Sequence, residues 1–260
     1  MNPRIHASAL IHPEARIDAT ATVGPFSIIG AGVEIGAGSS VGSHCVIEGP
    51  TRIGRDNRIH PHSVIGGAPQ DKKYAYEATA LEIGDRNTIR EFVTINRGTA
   101  QDLGVTRIGS DNWIMAYVHI AHDCLVGSHV IFANAASLAG HVRIDDHAIL
   151  GGFTLVHQFC QIGAHAFTSM GAIINRDVPP FVTVAGNFAE PKGINSEGLK
   201  RRGFDSARIM AIKRAYKTLY KSGLSLADAR MQLASVVAAG APDVALLLEF
   251  IDRSERSLIR

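Results

Sequence analysis

An aliphatic residue recurs every six positions over most of this chain, and that period constrains the fold more than any other feature. The stops are Ile5, Ile11, Ile17, Val23, Ile29, Ile35, Val41, Ile47, Ile53, Ile59 and Ile65. The frame resumes at Ile83, Ile89 and Ile95, then slips by one residue. It runs on through Ile108, Ile114, Ile120, Val126, Phe132, Leu138, Ile144, Leu150, Val156, Ile162, Thr168 and Ile174. Only Phe132 and Thr168 among these stops are not Ile, Val or Leu. Helices repeat at about 3.6 residues and strands at 2, so neither alone yields six. A solenoid of short flat faces joined by tight corners does. Three such steps make one coil, and successive coils stack at the strand spacing of roughly 4.8 Å. Each inward aliphatic side chain then contributes ~1.5–3 kcal/mol if fully buried. Glycine often follows the inward residue, as at Gly24, Gly36, Gly109, Gly127 and Gly163. It reads as the corner residue that turns without steric cost.

Two polar stretches interrupt the repeat, 66–81 (GGAPQDKKYAYEATAL) and 97–107. Both are expected to project as loops, where function is commonly mounted. The solenoid is assigned to residues 1–188, and residues 189–260 to a helical domain. One helix is expected near 205–221, with Ile209, Ile212, Tyr216 and Leu219 on one face and Gly223 at its end. A second starts at Ser225, with Asp228 three residues on as a small capping box. A third follows Pro242 and includes Leu246, Phe250 and Ile251. The fold class is therefore an all-β solenoid, a parallel β-helix of hexapeptide repeats with a C-terminal α-helical domain. The tail is expected to cap the open end and its unpaired strand edges.

Hydrophobic content of 46% with 19% charge excludes a disordered chain. The start, Met1 to Ile5, lacks the apolar run of a signal peptide, and no segment is long enough to span a bilayer. Three cysteines, Cys45, Cys124 and Cys160, make an odd count without a CxxC pair. That suits unbridged core thiols in a reducing compartment, so a cytoplasmic location is expected, with neither stable membrane insertion nor a nucleic-acid partner. Net charge is only +2, yet residues 198–221 hold eight Lys or Arg against one Asp. The segment suggests an acidic partner or a phosphorylated ligand, with a plain solvated helix face as the alternative.

Four of the twelve histidines, His119, His122, His141 and His157, fall close together in sequence. A single histidine on a β-helix is more often a surface or corner residue. Spacing changes that reading. His122, Gly140 and Gln158 are eighteen residues apart, so they stand in one column on three coils, and His141 and His157 flank it. A base titrating near neutrality, a bare backbone N–H for a developing oxyanion and an amide suit acyl transfer from a thioester. No covalent nucleophile is required, which leaves Cys124 and Cys160 as core thiols. Asp123 orients His122 if a corner or bulge turns it back. Three of the four histidines could converge on zinc. Against this, no H-x₄-H pair accompanies them and Gln158 fills the column, so no metal and no cofactor is expected.

The stretches GPFSIIG, IGRDNRI, PQDKKY, IGDRNTIRE, HIAHDCLVG, LAGHV, VHQFCQIGAH and EGLKRRGF, found across essentially the whole chain, resemble the UDP-N-acetylglucosamine O-acyltransferase family of lipid A synthesis. The resemblance implies a left-handed β-helix, against the usual crossover preference, and a homotrimer with sites between subunits. It implies transfer of a (3R)-3-hydroxyacyl group from acyl carrier protein to the 3-hydroxyl of UDP-GlcNAc. By motif, His122 would be the general base, Asp123 its partner and Gly140 the oxyanion donor. His119, His141, His157 and Gln158 would contact substrate, and Gln70, Asp71 and Lys73 would hold the sugar and acyl chain. Asn195 and Glu197 would bind uridine, while Arg201 and Arg202 would neutralise the diphosphate. Asn96 stands where the family usually has histidine, and YEATAL replaces the usual GEPTR. Met170 occupies the position of the acyl-chain ruler, which favours a medium chain such as 3-hydroxydecanoyl; ordinary gap-filling is the alternative. Rival readings are a sister UDP-3-O-acylglucosamine N-acyltransferase, whose chains carry an extra N-terminal domain, and a non-catalytic scaffold.

Overall fold

The structure, a computed structural model, describes residues 4–260, so Met1 to Pro3 lie outside the described residues. Short parallel strands form three sheets of nine, eight and ten strands that wrap one core. Each strand pairs with the strand one coil away, as in Ile11↔Ile29, Ile17↔Ile35 and Val23↔Val41. The inward row is buried: Ile29, Ile47, Ile65, Ile95, Ile120 and Leu138 are at most 1% exposed. Branched aliphatics fit here because each stacks on its own kind across about 4.8 Å.

The glycines of the repeat act differently from the sequence reading. Gly24, Gly36 and Gly109 do not carry the positive φ; that falls two residues later, on Phe26, Gly38 and Asp111, and at most corners on a non-glycine residue. A Cβ on Gly36 would stand 2.6 Å from Gly54 O, and one on Gly109 would stand 2.6 Å from Gly127 O. At these positions glycine is needed for close approach of stacked coils, not for the turn. The left-handed corner residues stack instead. Phe26, His44, His62, Phe92 and Tyr117 form one ladder with ring centroids 5.0–5.1 Å apart. His129, His147, His165 and Phe181 form another. Many of the histidines are thus corner residues of the solenoid. On the earlier coils of this second line, buried amides satisfy backbone donors from coil to coil: Asn87 N–H donates to Asn57 Oδ1, Asn112 N–H to Asn87 Oδ1, and Val130 N–H to Asn112 Oδ1.

The inward row keeps its pairing past the loops, and the register shifts only at the root of the first, between Ile65 and Gly67. Ile65 pairs with Ile95 and Ile95 with Ile120, so along that row only the sequence spacing widens where the loops enter. Both loops are shorter than their polar stretches. Val64–Gly67, Ala80–Ile83 and Val105–Ile108 are strands, because backbone pairing with the neighbouring coil continues up to the loop root.

Helices do not begin directly after Asn187. Val182–Ala185 and Glu190–Ile194 form an antiparallel hairpin that extends the ten-stranded sheet. A short helix α1 (Ser196–Arg201) follows, with Asn195 as its cap. Then come α2 (Ser206–Lys221), α3 (Leu226–Ala238) and α4 (Pro242–Arg253). Ser225 caps α3 by accepting from Asp228 N–H. Ala215, Leu219, Leu233, Leu247 and Phe250 form the core of the helices, and Tyr216 and Ile259 join the solenoid core. On α4, Leu246 is exposed, whereas Leu247, Phe250 and Ile251 are buried. The C-terminus returns to the solenoid, where Ile259 N–H donates to Asp177 O at 2.8 Å. No helix among the described residues is long and apolar enough to cross a membrane.

Candidate active site

The strand His119–Ile120 ends at a corner where Asp123 adopts φ 57°, and this left-handed turn swings its carboxylate back onto the preceding residue. His122 Nδ1 lies 2.9 Å from Asp123 Oδ2. The Asp123 carboxyl is fully buried and accepts two bonds of 3.0 Å from Thr99 N–H and one of 2.7 Å from the Thr99 hydroxyl. Burial pushes this carboxyl up, and the hydrogen bonds from His122 and Thr99 more than reverse that, leaving it below the usual carboxylate range. An ionised carboxylate only accepts, so Nδ1 of His122 carries the proton and Nε2 is left as a base.

One coil on, Gly140 lies against that imidazole. A Cβ at 140 would stand 2.5 Å from His122 Cε1 and 2.7 Å from Nε2, so only glycine leaves room for the ring. No acceptor for the Gly140 N–H is found among the described residues. His141, adjacent, packs edge-on to His122 with centroids 5.0 Å apart and stacks on Phe159 at 4.5 Å. Its Nδ1 lies 2.7 Å from Asp102 Oδ2. These groups border an open cleft of about 530 Å³, which Gln158 and the loop residues Gln70, Asp71 and Lys73 also line. Asn96 lines it too; its amide donates to Ala68 O at 3.0 Å, and its Oδ1 is buried with no partner.

His122, Asp123 and His141 bring three potential ligand atoms within 4.8 Å of one another. His119 and His157 are turned elsewhere, toward Thr94 Oγ1 (2.8 Å) and Arg256 Nη1 (3.1 Å). Both Asp123 oxygens are already engaged by Thr99 and His122, which fits an orienting carboxylate rather than a ligand. All three cysteines are buried and unbridged, and burial pushes the Cys124 thiol up to about 12 and the Cys160 thiol to about 11. Neither supplies a thiolate at neutral pH.

Residues 33–67 and 106–140 match the model for bacterial transferase hexapeptide repeats, and 177–259 match domain 2 of UDP-N-acetylglucosamine O-acyltransferase. The acyl-[acyl-carrier-protein]–UDP-N-acetylglucosamine O-acyltransferase of Janthinobacterium sp. (strain Marseille) is 60% identical over 98% of this chain and 99% of its own length. The chain belongs to the UDP-N-acetylglucosamine O-acyltransferase family. The corresponding enzyme of Stenotrophomonas maltophilia (strain R551-3) is 59% identical over 99% of this chain and 98% of its own. Among solved structures, the UDP-N-acetylglucosamine O-acyltransferase of Moraxella catarrhalis superposes with a TM-score of 0.97 at 42% identity, covering 99% of this chain and 100% of that one. The Francisella novicida UDP-N-acetylglucosamine acyltransferase gives 0.96 at 42% identity, covering 98% and 94%. The solenoid is thus a left-handed parallel β-helix of hexapeptide repeats.

The remaining residues carried over from this O-acyltransferase family do not meet the His122 cleft within one chain. Asn195 Oδ1 accepts from Gly198 N–H and its amide donates to His165 O, while Glu197 pairs with Lys200 at 2.7 Å. Arg202 donates to His147 O at 2.8 Å, beside the His129–His147–His165 ladder, and Arg201 is exposed. Met170 fills no groove within the chain; its side chain is 79% exposed, at the corner preceding Ile173–Ile174, whereas His122 follows the same sheet face. Sequence reasoning missed Thr99 and Asp102, because the 97–104 loop breaks the eighteen-residue spacing that found the column; Phe159 lies eighteen residues after His141, so the same spacing could have found it.

Proposed function

We propose that this chain transfers a (3R)-3-hydroxyacyl group from acyl carrier protein to the 3-hydroxyl of UDP-N-acetylglucosamine, as the first step of lipid A synthesis. The names of its relatives support the reaction class, and the near-complete mutual coverage disfavours the sister N-acyltransferase. The observation that carries the mechanism is the His122–Asp123 dyad standing against side-chain-free Gly140. His122 Nε2 takes the proton of the attacking hydroxyl. The new C–O bond forms first, the Gly140 N–H stabilises the resulting tetrahedral oxyanion, and its collapse breaks the thioester C–S bond. The leaving thiolate receives the proton from the His122 imidazolium.

Gln158, Gln70, Asp71 and Lys73 hold the sugar and the start of the acyl chain at the cleft. His141 contributes a further contact there. Asn195, Glu197, Arg201 and Arg202 lie away from this cleft in their own chain, so they serve the cleft of an adjacent copy in a homotrimer, binding uridine and diphosphate. Met170 meets the acyl chain's far end in that assembly. The exposed Lys213, Arg214, Lys217 and Lys221 of α2 dock the acidic carrier protein. The protein works in the cytoplasm, without a cofactor.

His122→Ala tests this directly. The variant should remain folded and assembled but lose transfer by at least 10²-fold; normal turnover would refute the mechanism. A donor-length series with UDP-N-acetylglucosamine, read by mass spectrometry, identifies the preferred acyl chain.

A further inference from the structure

The 97–104 loop reaches both imidazoles of the cleft, His122 through Asp123 and His141 directly. Thr99 holds Asp123, which holds His122; Asp102 holds His141 by a 2.7 Å contact. We infer that Asp102 is a positioning residue for the transfer reaction, fixing the tautomer and ring angle of His141 as Asp123 fixes those of His122. The inference rests on the proposed function and adds a second histidine–carboxylate pair to it.

Three surfaces define the His141 ring. Phe159 lies parallel beneath it, 12° from coplanar, His122 meets it at 89°, and Asp102 takes Nδ1. Because an ionised Asp102 only accepts, Nδ1 carries a hydrogen and Nε2 is left to address substrate. Without Asp102 the ring keeps its stacking partner but loses the bond that selects between tautomers. The loop is suited to the task because its root is rigid. Arg97 N–H donates to Gly67 O at 3.0 Å, Gly98 N–H to Ala80 O at 3.1 Å, and Gly104 N–H to Thr99 O at 3.1 Å. A Cβ on Gly98 would collide with the Val105 backbone, so the loop closes tightly where it leaves the solenoid. Buried Arg97 donates to Gly66 O and lies 3.6 Å from Glu48, tying this loop to the root of the other. Asp102 itself is exposed enough to be substituted without opening the core.

The test is a double-mutant cycle on the full-length protein, with UDP-N-acetylglucosamine and the acyl carrier protein thioester that the wild type accepts. Asp102→Ala should lower kcat/KM by about tenfold or more at an unchanged melting temperature. Asp102→Asn should restore most of the loss, since its Oδ1 still accepts from Nδ1–H. In the His141→Ala background, Asp102→Ala should cost nothing further, because its effect passes through the imidazole. Wild-type rates in Asp102→Ala, losses that multiply in the double variant, or an Asn variant no better than Ala would each overturn the inference. A wild type that acylates no UDP-N-acetylglucosamine with any 3-hydroxyacyl donor would instead overturn the proposed function, and this inference with it.

Discussion

Gly140→Ala separates the two catalytic tasks assigned to this corner. The residue does not have positive φ, so alanine meets no backbone penalty there. Its peptide N–H stays where it was. What changes is the space: the new methyl would sit 2.5 Å from His122 Cε1 and 3.1 Å from Nδ1, where carbon contacts settle at about 3.5–4.0 Å. The imidazole must retreat by about 1 Å, and its Nδ1 bond to Asp123 is drawn out with it. A displacement of that size costs on the order of 10²-fold in rate, or ~2.7 kcal/mol of barrier. Steady-state kinetics with the acyl carrier protein thioester should therefore show kcat falling about a hundredfold, while thermal melting reports an intact solenoid. A Gly140→Ala enzyme with wild-type kcat would refute the claim that ring position at His122 limits the reaction.

His165, buried between His147 and Phe181, is held neutral by burial, by His147 and by Arg202, which push it down to about 4. The unfolded chain takes up that proton from about pH 6.5 downward while the folded chain does not, so stability is full above this range and falls between pH 6.5 and 4, by roughly 2–3 kcal/mol in total. His165→Phe should flatten the melting-temperature decline over that interval relative to wild type; an identical slope counts against it. Cys124, with its thiol near 12, should resist iodoacetamide at pH 8 in the folded protein, and Cys124→Ala should keep most of its activity; rapid labelling or lost turnover would reopen covalent catalysis. Met170→Gly should shift preference toward longer acyl donors, whereas unchanged selectivity in a donor competition would remove Met170 as the ruler.

The solenoid was legible because its inward row is chemically uniform: a buried ladder accepts Ile and Val at every step, so the period survives in the sequence. The column of His122, Gly140 and Gln158 followed from the same eighteen-residue arithmetic. The pairs Thr99–Asp123 and Asp102–His141 did not, since both reach across from a loop whose length sets their separation. Helix α1 has only six residues and a single buried one, too few to express a period. The hairpin Val182–Ala185/Glu190–Ile194 escaped notice because its second strand, EPKGI, alternates no hydrophobic face. The role of the repeat glycines was misread for a different reason: a sequence records where Cβ is absent but not whether backbone torsion or a neighbour forbids it.

Stacked coils quantise the geometry of whatever they carry. Because Ile120, Leu138 and Val156 pair in register, anything mounted beside them can be raised or lowered only in whole increments of about 4.8 Å. Inserting or deleting eighteen residues between the cleft and the helices would translate His122, Gly140 and Gln158 together, preserving their mutual spacing while changing their height relative to the helical domain. A catalytic centre built this way tolerates lengthening of its scaffold far better than sideways drift, and the molecule can change the depth of a bound chain without rebuilding the machinery that acts on its head.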